Sequence, residues 1–518
     1  MDKQSLTYKT FKNVAYNFMG SFWPIIFAIF ITPIVVLKLG AEKYGVYMLV
    51  MSISSLMGLF DLGLGSTFIK YISEYAAKDE REKIKKLVYT FNIFLLGLAI
   101  FCLILFLIIG YFASSFFPSQ TMAQGYYFTI FLLAGLSFFI HNIGGTYATV
   151  PLAVQRFDIN TKIGMASLTL SNLTTLTLVL LGYELRAIFL TQLIFTCVLF
   201  FIYRHYAIKL LPDVQLKYRW HKDTFLSVYK FSITAYASNA ANSALTYFDR
   251  LLIPIFIGPA ALSYYSLPGN ITAKTPSLAN NISTVIFPMI SNLNGLQDTE
   301  RIKHIYIRVF NLITVISFAI TVSIIMLSDK ILLYWLNADF ADKSTGVLVI
   351  LAITYYFLSL SGILNSFLLG LGKTNFLFKS SVTMAIINIV SLFYLLPKFG
   401  IMGAAWAYLI SVLPVIYMFF YSEKKFFNLS NRSAYYLKLY SKLFIVSIFF
   451  IFIIKYLLKP LVSSLTSVII IGPLSVVLFL IIYRLFAFYE KKDLEVINNF
   501  LKMLYLRINR YIYFYKQT

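Results

Sequence analysis

Residues 87–112 read LVYTFNIFLLGLAIFCLILFLIIGYF. The run holds no charged side chain. It is longer than the ~20 apolar residues a helix needs to cross a ~30 Å hydrocarbon core. Inside lipid every backbone N–H and C=O needs an internal partner, and the run is far too long for a barrel strand, so it is predicted as a transmembrane helix. The same rule marks fourteen spans: 14–38, 45–73, 87–112, 123–150, 159–182, 185–206, 226–257, 260–291, 305–327, 344–370, 374–396, 401–421, 442–458 and 462–487.

Composition agrees with that reading. Of 518 residues, 59% are hydrophobic and 13% charged, against ~25% charged in a typical soluble domain. Mean hydropathy is +0.78, more apolar surface than a single soluble core can hide. The 38 Tyr suit the headgroup level. Cys102 and Cys197 lie in apolar runs and read as packing residues. Met1 to Asn13 is polar and the first apolar run is too long for a signal core, so no cleavable signal peptide is expected.

An even number of spans puts both termini on one side. Lys and Arg on that side outnumber those on the other by roughly four to one, which places both termini in the cytoplasm. The same asymmetry accounts for the net charge of +23 as basic loops against anionic lipid; nucleic-acid binding becomes unnecessary. The loops are short, so no soluble catalytic domain is inserted, and the longest outer loop is read as 328–343. The tail 488–518 carries Lys491, Lys492, Arg507, Arg510 and Lys516 among Tyr and Phe and is predicted as an interfacial amphipathic helix.

The chain partly matches itself at a shift of 218. Gly40 falls on Gly258, Tyr47 on Tyr265, Glu82-Lys83-Ile84-Lys85 on Glu300-Arg301-Ile302-Lys303, and Gly182 on Gly400; at 217, Arg156 falls on Lys373. The predicted architecture is therefore all-α and membrane-embedded. It consists of a cytoplasmic N-terminal tail (1–13), a six-helix lobe (14–206), a cytoplasmic linker (207–225), a second six-helix lobe (226–421), two added helices (442–487) and the basic tail (488–518). Six is even, so the lobes are parallel repeats, an arrangement that supports alternating access by rocking.

Ionisable groups in mid-bilayer cost ~2.5–3.5 kcal/mol or more on insertion scales and mark cavities or partners. Span eight carries Asn270, Lys274, Ser277, Asn281 and Thr284 at helical steps, hence on one face. Pro268 and Pro276 would bend that helix. In span seven, Asn239, Asn242, Thr246 and Asp249 share a face beside Arg250. These faces read as cavity lining or as polar glue between helices; Asp249 and Arg250 lie near the predicted outer end, where water would also solvate them. A wet cavity with Lys274 and Arg250 suits an anion with a large polar body, such as a lipid-linked sugar: diphosphate for the cations, hydroxyls for the amides. Asp61, within Gly58-Leu59-Phe60-Asp61-Leu62-Gly63, reads as a proton or Na+ site, a counter-ion to Lys274, or a structural hydrogen-bonding group. Asp249 is a second coupling or counter-ion candidate. No cofactor is expected; H+, Na+ or the membrane potential would supply the drive. His141, His205, His221 and His304 show no metal spacing. Gly370-Leu371-Gly372-Lys373-Thr374 fails as a phosphate loop, because residue 367 is Phe. No Gly-x-Ser-x-Gly occurs; an enzyme is not indicated.

Several landmarks occur together in order: Leu39-Gly40 and Tyr44-Gly45, Asp61-Leu62-Gly63, Gln155-Arg156-Phe157, Asp249-Arg250, Gly370-Leu371-Gly372-Lys373 and Gly400-Ile401-Met402-Gly403-Ala404-Ala405-Trp406-Ala407. With them the chain resembles the polysaccharide repeat-unit (Wzx-type) flippases of the multidrug/oligosaccharidyl-lipid/polysaccharide exporter superfamily. The resemblance implies two lobes around a cationic cavity and peripheral spans 13–14. It implies export of undecaprenyl-diphosphate-linked oligosaccharide across a bacterial plasma membrane for O-antigen, capsule or exopolysaccharide synthesis, with a polymerase and a chain-length regulator as further partners. The rival readings are a lipid II flippase or cation-coupled drug exporter of the same superfamily and, in another class, a membrane polysaccharide polymerase or ligase.

Overall fold

The computed structural model describes residues 3–61, 64–117, 122–212, 214, 217–427, 429 and 432–486; the side chains of 3–22, 64, 66, 227–242, 244, 278 and 280–285 fall outside that description. The tail 488–518 lies outside the described residues. Among the described residues there is no strand. The helices are α1 (Lys3–Met57), α2 (Leu64–Ala77), α3 (Arg81–Phe116), α4 (Gln124–Ala153), α5 (Phe157–Leu180), α6 (Leu185–Leu210), α7 (Lys222–Phe256), α8 (Pro259–Thr272), α9 (Thr275–Gly295), α10 (Thr299–Trp335), α11 (Ala338–Gly370), α12 (Thr374–Val412), α13 (Pro414–Phe426), α14 (Ser433–Ile453) and α15 (Leu465–Leu485).

Among the described residues, helix falls over each stretch predicted as a span. Ten continuous helical stretches of the described residues are long and apolar enough to cross a membrane. Two of them are composite: Trp23–Asp61 contains the break at Gly40, and Thr374–Phe426 the break at Gly400. The chain is a multi-pass integral membrane protein.

The expected outer loop 328–343 is a correction. Helices α10 and α11 run beyond the apolar segments and leave only Leu336 and Asn337 between them. Asn337 caps α11, its side chain accepting from the Phe340 N–H at 3.0 Å, and Asp339 pairs with Lys343 one turn on at 2.6 Å. Polar caps and i,i+4 pairs continue a helix where apolar periodicity has stopped.

The repeat read in the sequence is also a repeat of backbone turns. Among the described residues, positive φ occurs at Gly40, Asp79, Gln155, Gly182, Gly258, Gln297, Gly372 and Gly400. These form four pairs at the spacings of the sequence match: Gly40 with Gly258, Asp79 with Gln297, Gln155 with Gly372, Gly182 with Gly400. Each member sits where one helical segment gives way to the next, the position at which a left-handed residue ends a helix. Gly40 (φ 80, ψ 161) and Gly400 (φ 59, ψ −143) occupy a region open essentially to glycine alone.

The chain packs as two compact units. One comprises Met1–Leu267 with Phe378–Ser411, the other Pro268–Leu377 with Val412–Thr518. By packing, α7, the first part of α8 and most of α12 thus group with the first sequence repeat. In the first unit, α2, α3 and α4 enclose a core of Phe68, Ile72, Leu87, Phe91, Tyr147 and Val150. In the second, α14 and α15 lay Leu443, Val446, Phe450 and Phe479 against Val315 and Ala319 of α10. Their other faces expose Phe444, Phe452 and Ile470, as lipid-facing helices do. Lipid is as apolar as these side chains, so helix contacts here rest on close fit and polar links rather than on hydrophobic burial.

Candidate functional site

In the first unit the site grows from one close approach. At Gly45 an added Cβ would stand 1.8 Å from the Pro259 carbonyl oxygen, so only glycine lets α1 and the start of α8 touch. Ser263 ties the same two elements, donating to the Ala41 carbonyl at 2.5 Å. Asp249, near the end of α7, lies against this knot. It is 2% exposed, accepts a hydrogen bond from the Tyr265 hydroxyl of α8, and accepts from the Arg250 backbone N–H at 2.7 Å. Burial by α8 is why water does not solvate Asp249, contrary to one reading of its sequence position. Arg250 is half-buried, its guanidinium 5.7 Å from the centre of the Tyr247 ring. Tyr44 and Tyr47 stand together on α1, ring centres 5.8 Å apart.

Tyr265 is a member of the site that residue chemistry alone passes over. The signal that could have singled it out was the repeat, in which Tyr265 answers Tyr47. Asp61 ends the 3-10 turn Gly58–Asp61 between α1 and α2, half-buried, and a Cβ on Gly65 would lie 3.8 Å from its Oδ2.

In the second unit the polar face expected on one continuous helix is split. Helix α8 ends at Thr272 and α9 starts at Thr275, with Ala273 and Lys274 forming a turn. Pro276 has no N–H for the carbonyl four residues earlier and crowds it, which breaks the ladder there. Lys274 becomes the capping residue at the N-terminus of α9, where helix dipole and unpaired N–H groups favour an anion. Lys274 and Ser277 are exposed and Asn270 is half-buried. Lys274 has no ion-pair partner among the described residues. The side chains of Asn239, Asn242 and Asn281 lie outside the described residues. Arg250 belongs to the first unit and Lys274 to the second.

A buried charge pair in this unit is not marked by the sequence. Glu423 of α13 (1% exposed) meets Arg432 (8%) at 3.2 Å, and Tyr306 and Tyr436 donate to the same carboxylate. In the sequence both charges sit in a basic stretch that reads as a solvated loop.

These elements define a multi-pass helical membrane protein with broken, polar-faced helices in both units. Its fold is that of known exporters. It aligns over 91% of its length with 99% of a structure of the lipid II flippase MurJ in an inward closed conformation, at a TM-score of 0.71 and 17% identity. It aligns over 80% of its length with 96% of an inward-facing multidrug resistance MATE family transporter of the MOP superfamily, at 0.65 and 13%. The polysaccharide biosynthesis protein family matches residues 38–345, and the chain belongs to that family. A Shigella flexneri protein named "Putative O-antigen transporter" is 22% identical over 404 residues, covering 78% of this chain and 94% of that protein.

Proposed function

We propose that this protein is a flippase that carries undecaprenyl-diphosphate-linked oligosaccharide from the cytoplasmic to the outer leaflet of a bacterial plasma membrane, by alternating access, for surface polysaccharide synthesis. One observation carries the reading: Lys274, inside a predicted span, is exposed at the N-terminus of α9 and has no ion-pair partner among the described residues. An unpaired cation in lipid costs several kcal/mol, so it faces water and a mobile anion. Lysine meets a diphosphate as a point charge, and the helix terminus adds to it. Ser277 offers a hydroxyl on the next turn, and Asn270 an amide on the preceding one. Membership of the family and likeness to the O-antigen transporter support sugar on lipid as the cargo.

The chain moves its cargo and makes no covalent change in it. Exporting about two negative charges from a negative interior is favoured by ~4–5 kcal/mol at 100 mV, so the membrane potential supplies drive, with Asp61 and Asp249 as the candidate sites for H+ or Na+. The two sequence repeats are the moving lobes, both termini are cytoplasmic, and a polymerase and chain-length regulator receive the product outside. The test is purified protein in vesicles with fluorescent lipid-linked oligosaccharide. Wild type exposes the label to an external quencher without lengthening the glycan, and Lys274→Ala, at equal protein level, does not. Flipping unchanged in Lys274→Ala removes that residue from the site; glycan joined by the wild type makes the protein an enzyme.

A further inference from the structure

Within the first unit α1, α4 and α6 leave a half-open hollow of about 140 Å³. That is room for on the order of ten water-sized groups, the size of a sugar ring. Its polar lining is unusual in what it has left to give. Ser54 donates to the Val50 carbonyl at 2.9 Å, Ser137 to the Leu133 carbonyl at 2.9 Å, and Thr196 to the Gln192 carbonyl at 2.8 Å. A hydroxyl has one proton, so these three oxygens can now only accept. Gln192 lines the same hollow, and its Oε1 is buried with no hydrogen-bond partner. Four acceptors thus await donors. Rings of Phe138 and Phe189 supply apolar wall, and His141 is the exposed member of the lining.

Among the described residues no carboxylate, Lys or Arg lines the hollow. A diphosphate would find the N–H groups of Gln192 and His141 but no fixed cation to balance its charge, and a metal cation would find no carboxylate. Apolar tails would leave buried acceptors unpaired, at the penalty that attends any such group. What fits is a neutral ligand with several O–H donors around an apolar C–H face. We propose that this hollow seats one neutral sugar ring of the cargo, a subsite that reads the glycan. The inference rests on the flippase reading and adds to it where the sugar is recognised.

The experiment measures binding of two lipids to the purified full-length protein in nanodiscs: undecaprenyl diphosphate, and undecaprenyl diphosphate carrying one N-acetylglucosamine. Wild type is expected to bind the sugar-bearing lipid about ten-fold more tightly. Each lost hydrogen bond reduces that preference by about two- to ten-fold, so Gln192→Leu abolishes most of it and leaves the bare lipid unaffected. Thr196→Val, close to isosteric, lowers the preference without risk to folding. Lys274→Ala weakens both lipids alike. Variants in the hollow that weaken both lipids equally, or neither, overturn the subsite while the flippase reading stands. Wild type that binds neither lipid overturns both.

Discussion

Arg432→Ala is the sharpest test of the packing in the second unit. Glu423 is 1% exposed and receives the Arg432 guanidinium at 3.2 Å together with the Tyr306 and Tyr436 hydroxyls. Removing Arg432 leaves a buried carboxylate with two neutral donors and no countercharge. Breaking one side of such a pair costs about 3–5 kcal/mol, which is about two to three and a half orders of magnitude in the population of the opened state. Glu423→Gln is milder. It keeps an oxygen for the phenols, and Arg432 retains its place 3.9 Å from the Tyr435 ring centre, so the loss is closer to ~1–3 kcal/mol. Replacing both charges together, Glu423→Leu with Arg432→Met, restores much of the stability, because the pair carries its own desolvation penalty. The assay is thiol labelling under native conditions. Val446, fully buried on α14, is changed to Cys in a background with Cys102 and Cys197 replaced by Ala. Labelling of that thiol accelerates by about a hundred-fold to a few thousand-fold in Arg432→Ala, less in Glu423→Gln, and least in the double variant. Labelling of Arg432→Ala as slow as the parent, or of the double variant as fast as Arg432→Ala, would refute the assignment of a tightly coupled buried pair.

Gly40→Ala forces a Cβ into φ 80, ψ 161 and should lower stability by about 1–3 kcal/mol. Gly97→Ala, in the interior of α3 with open space around the new Cβ, should be neutral or stabilising by up to ~1 kcal/mol; equal thermal midpoints for the two variants would contradict the turn geometry. At the clasp between Lys43 and Glu184, the hydrogen bond from Lys43 holds the Glu184 carboxyl below the usual carboxylate range. A depressed pKa contributes stability above the unfolded value of about 4.3 that fades as pH falls through the folded one. Glu184→Gln should therefore trail the wild type slightly in stability near pH 7, by well under ~1 kcal/mol for so exposed a pair, and the gap should close as the pH falls through the folded value; a gap that widens on acidification would reverse the sign. Tags at either terminus should be protected from impermeant reagents in intact cells, and labelling there would overturn the cytoplasmic orientation.

Different kinds of information were legible at different ranges. Each span could be read from its own twenty-odd residues, because lipid imposes its condition on every segment separately. The turn positions followed from the match between Gly40 and Gly258 and between Gly182 and Gly400, since a left-handed backbone selects its residue locally. The site was legible as a set of residue types: Lys274, Asp249 and Arg250 stand out wherever charge meets an apolar run. Their environments were not. Pro276 signalled a bend, yet that Lys274 would cap a separate helix depended on where the ladder gave way.

The sequence alone determined an all-helical membrane protein, where its apolar helical segments lie, a repeat of 218 residues and the residues too polar for lipid. Each of these is a property of one segment against a uniform solvent. Only the tertiary structure decided that Asp249 is held by Tyr265, that Glu423 and Arg432 leave their basic loop to pair in the interior, and that Ser54, Ser137, Gln192 and Thr196 share one hollow. Those outcomes depend on which helices become neighbours, and hydrogen-bond and ion-pair partners at a few ångströms are set by that choice.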